Sequence, residues 1–101
     1  MAARFGDMLL EQRRRMGLSI QQVANTIKIR PQIIEFFENG NYASMPPRGY
    51  AQGMISSYAR FLGLNPREVV NAYFDDLMAY ERETSQQGGR FQDAAGYVNS
   101  L

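Results

Sequence analysis

This 101-residue chain contains no cysteine and no histidine. Without cysteine there can be no disulfide, no thiol nucleophile and no thiolate metal site. Without histidine the chain lacks the commonest general base and the commonest zinc ligand. These absences argue against an enzyme, and we expect neither a catalytic site, nor a metal site, nor a cofactor, nor a small-molecule ligand.

Long hydrophobic runs are missing as well. No stretch reaches the roughly eighteen apolar residues of a membrane span, and the N-terminus lacks the apolar core of a signal peptide. A cytoplasmic location is therefore the default expectation. Hydrophobic residues make up 45% of the 101 residues, which is enough for one small core and leaves no room for a second domain of similar size.

Acidic and glycine-rich stretches offer weak alternatives. The group of carboxylates that most resembles a metal site falls on one predicted helix, at Asp75, Asp76, Glu81 and Glu83. Adjacent carboxylates on a helix point in different directions, and no glycine-bearing calcium loop surrounds these four. Gly88-Gly89 follows no strand and precedes no Lys-Ser/Thr pair, so a phosphate loop is unsupported. We interpret the carboxylates as a solvated helix face.

Charge is distributed unevenly along the chain. Residues 1–30 carry six basic and two acidic side chains, whereas residues 65–101 carry three basic and six acidic ones. The basic end could face phosphates or an acidic partner. The alternative is that Arg13, Arg14 and Arg15 form the solvated face of a helix.

The stretch from Leu18 to Gly40 predicts two short helices joined by a tight turn. Its apolar residues follow helical spacing with one interruption, between Thr26 and Arg30: Ile20, Val23, Ala24, Ile27, Ile29, Ile34 and Phe37. Ser19 and Gln22 form a capping box that starts the first helix. Pro31 suits the first turn of the second helix, and Asn39-Gly40 ends it.

The flanking sequence predicts three further helices and no strand. They run from Ala3 to Met16, from Arg48 to Leu62, and from Asn65-Pro66 to a frayed end around Arg82 to Thr84. We expect a helical domain over residues 1–82 and a polar, flexible tail or linker over residues 83–101. Within that tail, four apolar residues could form a short docked segment: Phe91, Tyr97, Val98 and Leu101.

These residues carry a family resemblance. The pattern of Leu18–Gly40 resembles the phage-repressor and Xre-like helix-turn-helix. Its continuation, with Met45-Pro46 and the segment Tyr50–Leu64 (YAQGMISSYARFLGL), resembles the cytoplasmic domain of RodZ-type proteins. The resemblance covers about residues 4 to 80. It implies an all-α, five-helix bundle of the lambda-repressor-like kind that contains a helix-turn-helix.

The resemblance also implies a role. RodZ-like proteins cross the membrane once, and their cytoplasmic domain binds the actin-like filament protein MreB and contributes to rod shape. On this basis we expect an excised domain from the cytoplasmic face of the inner membrane, whose polar tail leads toward a membrane span. A soluble relative is the alternative.

The outward-facing residues of the second helix in the predicted helix-turn-helix indicate whether that helix could recognise DNA bases. By alignment with the repressor pattern, the base-facing positions are Arg30, Pro31, Gln32 and Phe36, with Ile20 at a phosphate-facing position. Only Arg30 and Gln32 can hydrogen-bond to base edges. A DNA-binding regulator would therefore use five polar or basic residues: Arg30, Gln32, Lys28, Arg13 and Arg14. This remains the alternative function.

The fourth predicted helix carries two apolar rows. One row is expected in the core: Ala51, Ile55, Tyr58, Ala59 and Leu62. The second row contains Tyr50, Met54 and Phe61, and an exposed aromatic row of this kind is typical of an interface. The RodZ resemblance places its MreB-contacting aromatic positions on Tyr50 and Met54, although Met54 replaces a ring. We assign this row, with Phe36, as partner-binding; the alternative is that Tyr50 and Phe61 pack against the first or last helix.

Overall fold

The computed structural model describes residues 4–95, with side chains described up to residue 85. Over this range the chain forms five α-helices and one short 3-10 turn, and the predicted all-α architecture is confirmed. The elements are α1 Arg4–Arg15, α2 Ile20–Ile27, α3 Pro31–Asn39, the 3-10 turn Tyr42–Ser44, α4 Arg48–Phe61 and α5 Pro66–Ala95.

The residues predicted to begin and end the two helices of the helix-turn-helix all adopt the expected conformations. The Ser19 hydroxyl accepts a hydrogen bond from the Gln22 backbone N–H at 3.0 Å, and the Gln22 side chain accepts one from the Ser19 N–H at 2.8 Å. Pro31 is the first residue of α3, where its missing N–H costs nothing. Gly40 ends α3 in the left-handed conformation, with φ of 67°. The predicted start and stop residues of this stretch are confirmed.

The turn between α2 and α3 contains an unusual residue. Lys28 adopts φ of 61°, and its N–H donates to the Ala24 carbonyl. A residue other than glycine in this left-handed conformation costs about 1–2 kcal/mol of conformational free energy. The position of the turn is predictable from the apolar spacing, whereas this conformation of Lys28 has no signal in the sequence, because glycine or asparagine usually occupies such a site.

A close approach between α1 and α3 depends on Gly6. A Cβ atom added at Gly6 would lie 2.5 Å from the Phe37 carbonyl oxygen and 2.7 Å from that of Glu38. The two backbones could not come this near with any larger residue on α1. Gly6 therefore fixes how α1 lies against the end of the helix-turn-helix.

The core lies where the helical periodicity predicts it. The predicted inner row of α4 is at most 1% exposed throughout: Ala51, Ile55, Tyr58, Ala59 and Leu62. Phe5 and Leu9 of α1 are fully buried in the same core cluster. The 3-10 turn adds Tyr42, whose ring stacks on Tyr80 at a centroid distance of 4.9 Å. The short turn thereby joins the loop before α4 to α5.

The acidic residues of α5 are less uniformly solvated than predicted. The Asp76 carboxylate is half-buried and accepts the Phe5 backbone N–H at 2.9 Å, which satisfies a free donor at the start of α1. Asp75 is exposed and pairs with Arg4 at 3.1 Å. Among the residues the structure describes, no three His, Asp, Glu or Cys side chains come together to hold a metal.

The predicted end of α5 is wrong. The helix continues past Arg82–Thr84 and runs to Ala95. No proline follows Pro66 within it, and glutamine, glutamate and arginine are good helix formers in water, so a shift to polar composition does not by itself stop a helix. The predicted docked segment falls largely outside the described residues, at Tyr97, Val98 and Leu101, as does Ala3 at the start of the first predicted helix.

Candidate interaction surfaces of α3 and α4

A buried polar network ties the helix-turn-helix to the helices on either side. Arg13 donates from Nε and Nη2 to both oxygens of Glu38, at 2.8 and 2.9 Å. The Tyr58 hydroxyl donates to the same carboxylate. Arg13 also donates to the Leu18 carbonyl at 2.9 Å. Because every partner sits on a different element, α1, α3 and α4 are held as one unit.

The network removes Arg13 from the predicted basic surface. Its side chain is 13% exposed and that of Glu38 is 4% exposed. The hydrogen bonds to Glu38 raise the pKa of Arg13, and burial followed by the bond to Glu38 raises the pKa of Tyr58. With its donors facing Glu38 and Leu18, Arg13 is not a solvated arginine, which corrects that interpretation, and its burial weakens the prediction that it contacts DNA phosphate.

Glu38 is buried and pairs with Arg13 beneath the candidate surfaces, which was not predicted from the sequence. It lies four residues after Ile34 and therefore falls within the buried stripe of α3. A carboxylate at such a position needs a cationic partner. The signal was present, but the sequence alone does not say which of three consecutive arginines supplies that partner.

The remaining basic residues near the helix-turn-helix are exposed. Arg14 and Arg15 end α1, and Lys28 and Arg30 lie in the turn before α3. The two pairs flank opposite ends of α2, whose eight residues extend about 12 Å. The basic charge that the sequence groups at the N-terminus is therefore divided between two places in the fold.

The outward face at the start of α3 is polar but interrupted. Arg30, Pro31 and Gln32 are exposed, as the repressor alignment predicts for base-facing positions, and Glu35 is exposed beside them. Phe36 is half-buried. Arg30 and Gln32 can offer donors to base edges, whereas proline offers none and glutamate repels phosphate.

The second apolar row predicted on α4, which contains Tyr50, Met54 and Phe61, is not uniformly exposed. Tyr50 is 71% exposed, the highest value among the large hydrophobic side chains that the structure describes. Met54 and Phe61 are half-buried and pack against the core. The alternative that Tyr50 packs on a neighbouring helix is wrong, while Phe61 does lie against the core edge.

Tyr50 is presented on a fixed support. It lies in the first turn of α4, three residues after Pro47, and the Pro46-Pro47 segment restricts the backbone before the helix. The half-buried Met45 packs on the core just before it. Arg48 pairs with Glu81 of α5 at 3.3 Å. These contacts hold the start of α4, so the exposed ring projects from a defined backbone.

Comparison with known proteins identifies the fold family. A family model described as "Helix-turn-helix domain" matches residues 8–69, from α1 to the first turn of α5. The chain belongs to this family. The match covers the helix-turn-helix and α4 together, so this helix-turn-helix domain includes both surfaces described above.

One relative extends this comparison. An uncharacterized protein of Haemophilus influenzae (strain ATCC 51907 / DSM 11121 / KW20 / Rd) is 35% identical over 60 residues, which are 58% of this chain and 20% of the relative. The chain thus spans about a fifth of the length of this curated relative. No solved structure matches the chain. No helix within residues 4–95 is long and apolar enough to cross a membrane.

Proposed function

We propose that this domain is the cytoplasmic protein-interaction module of a RodZ-like cell-shape protein and binds an MreB-type actin-like partner through α4. The observation that carries the proposal is the exposure of Tyr50, 71% of whose surface faces solvent at the start of α4. Tyrosine supplies a large contact area at low entropic cost and is enriched at interface hot spots.

The surroundings of Tyr50 support a protein partner. Met54 and Phe61 follow it along α4 at helical spacing and are each half-buried, so their remaining surface extends an apolar strip beside the ring. The exposed part of this row carries no charge. A partner that covers Tyr50 would therefore bury apolar surface without having to desolvate a charged group. Phe36 is a lesser candidate, since it is half-buried on α3.

We also propose that the domain acts without catalysis, as one part of a longer protein at the cytoplasmic face of the membrane. The support is the extent of the Haemophilus relative, of which the chain spans about a fifth. A module of this size can present one surface to a filament while the rest of the protein supplies other functions.

The test is a calorimetric titration with a purified, polymerisation-blocked MreB-type protein. Replacing Tyr50 with alanine should weaken binding at least about tenfold, or about 1.4 kcal/mol, because the anchor of the interface is lost. Met16→Ala is the matched control, since it removes another exposed apolar side chain from the end of α1. Equal affinity of the Tyr50→Ala variant and the parent chain would refute the proposal.

A second candidate function is DNA reading through α3. It is favoured by the exposure of Arg30 and Gln32 at the start of α3 within a helix-turn-helix family. It is weakened by Glu35 on the same face and by the burial of Arg13. This function requires sequence-selective binding of a labelled duplex near physiological salt, and Arg30→Ala and Gln32→Ala must abolish it. Binding that is salt-sensitive and indifferent to sequence would exclude it.

A further inference from the structure

A second surface lies on the other side of α4 from Met54 and Phe61. An open groove of about 990 Å³ runs between α4 and the first turns of α5. Its α4 wall includes Gly49 and Gly53, and its α5 wall includes Arg67, Val70 and Phe74. None of the roles proposed above uses this groove.

The α4 wall of the groove is open down to the backbone. Gly49 and Gly53 are four residues apart and so lie one above the other on the helix. A Cβ atom added at either glycine would meet nothing within 4 Å, unlike the Cβ at Gly6, which would collide with α3. Space is therefore left above α4 in which the backbone of another chain can come close.

The α5 wall supplies an apolar strip. Val70 and Phe74 line the groove and are half-buried, and Met78, four residues further on and just beyond the lining residues, is 59% exposed. Residues spaced by four share one helix face, and these three span about 12 Å, or slightly more than two helical turns. The strip is long enough to contact apolar side chains at i, i+4 and i+8 of a partner helix.

The charge of the groove has one sign. Arg67 is the charged residue among those that line it, and no carboxylate does. Among the described residues, Arg67 makes no ion pair. It also stands in the first turn of α5, where the helix macrodipole is positive. The neighbouring Glu68 projects about 100° away around the helix and does not line the groove.

We propose that the α4–α5 groove docks an amphipathic helix of a partner protein that carries a carboxylate at one end. The helix would cross α4 over Gly49 and Gly53, place its apolar residues on Val70, Phe74 and Met78, and pair its carboxylate with Arg67. Helix-in-groove recognition of this kind uses spaced apolar anchors for affinity and charge for orientation. The groove binds independently of the Tyr50 surface.

The probe is a set of three helical peptides of about sixteen residues, based on Ala and Gln, with leucines at i, i+4 and i+8. They carry Glu, Gln or Lys at both ends, so that the charge can reach Arg67 in either orientation. Each is titrated into the whole isotope-labelled chain while backbone amide shifts are recorded. We expect the affinity order Glu, then Gln, then Lys, with the largest shifts at Gly49, Gly53 and Val70.

Two variants and one control complete the experiment. Gly53→Leu fills the groove and should weaken the Glu-ended peptide at least about tenfold. Arg67→Gln, an exposed change that leaves the core intact, should erase the difference between the Glu-ended and Gln-ended peptides. Arg15→Gln removes an exposed charge at the end of α1, on a helix that does not line the groove, and should change nothing. Shifts that avoid the groove, no binding up to about 1 mM, or equal binding by Gly53→Leu would overturn the proposal.

Discussion

The helices α3 and α4 share one hydrogen bond and differ in what they expose. Tyr58 of α4 donates to Glu38 of α3, so both inner faces belong to the same buried network. Outward, α3 begins with two usable donors separated by Pro31, whereas α4 begins with an exposed tyrosine ring. The two helices therefore share one buried network while they present different chemistry to a partner, hydrogen-bond donors on α3 and an aromatic ring on α4.

The largest expected effect comes from breaking the shared network. Glu38→Ala leaves Arg13 and the Tyr58 hydroxyl without their partner in the interior, and should lower the free energy of unfolding by about 3–5 kcal/mol. Urea denaturation followed by circular dichroism measures this loss. Glu35→Ala, on the exposed face of the same helix, should stay within about 0.5 kcal/mol. Similar losses for the two variants would show that the inner and outer faces of α3 do not differ as described.

Two glycine substitutions compare the close contact between α1 and α3 with the open surface of α4. Gly6→Ala should destabilise the domain by about 2 kcal/mol or more, since the new methyl group would overlap carbonyls of α3. Gly53→Ala should instead raise stability by up to about 1 kcal/mol, because alanine favours the helix and the space is empty. Thermal melts of both variants provide the measurement, and effects of equal sign would contradict the structure.

Alkaline unfolding reports on the Tyr58 side of the network. Burial raises the pKa of Tyr58 above its ordinary value of 10.0. The native state therefore holds this proton more tightly than the unfolded chain, so the stabilisation is complete below about pH 10 and declines as the pH rises beyond it.

The matching variant is Tyr58→Phe. It should cost about 1.5 kcal/mol at neutral pH through the lost bond to Glu38, and should make the alkaline decline shallower by up to one proton. The measurement is the free energy of unfolding from pH 8 to 11. Tyr42 and Tyr73, whose pKa values burial also raises, contribute to the decline that remains. An unchanged slope in the variant would contradict the assignment to Tyr58.

The smallest effect is expected at the exposed ion pairs. Arg48 and Glu81 retain 57% and 52% of their side-chain exposure. Arg48→Gln should therefore change the free energy of unfolding by less than about 1 kcal/mol. A loss as large as that of Glu38→Ala would mean that the start of α4 depends on this surface contact more than on the buried network.

Much of the fold was predictable because its determinants are local. The capping box at Ser19, Pro31 and Gly40 act within one helical turn, and the inner row of α4 follows from spacing alone. The end of α5 was not predictable, since no proline lies between Arg82 and Ala95, and the helix continues through Gly88-Gly89 although glycine disfavours helix. The family match confirms the helix-turn-helix, while the finer RodZ-like assignment stays a proposal.

The candidate surfaces were predictable only in part, because exposure depends on packing between distant segments. Tyr50, Met54 and Phe61 share one row in the sequence pattern, yet the structure leaves only Tyr50 largely open. Arg13 looks like its two neighbours until Glu38 is placed beside it, twenty-five residues away along the chain. Such long-range partners have no counterpart in helical periodicity.

The central claim is that α4, and not α3, carries the partner contact. The most direct measurement is a backbone amide shift map of the labelled chain, recorded with an MreB-type protein and, separately, with duplex DNA near physiological salt. The account predicts that the protein partner perturbs residues around Tyr50 and Met54, and that DNA leaves Arg30 to Glu35 unperturbed. Perturbation of α3 by a specific DNA sequence, with none around Tyr50 on adding the protein, would contradict it.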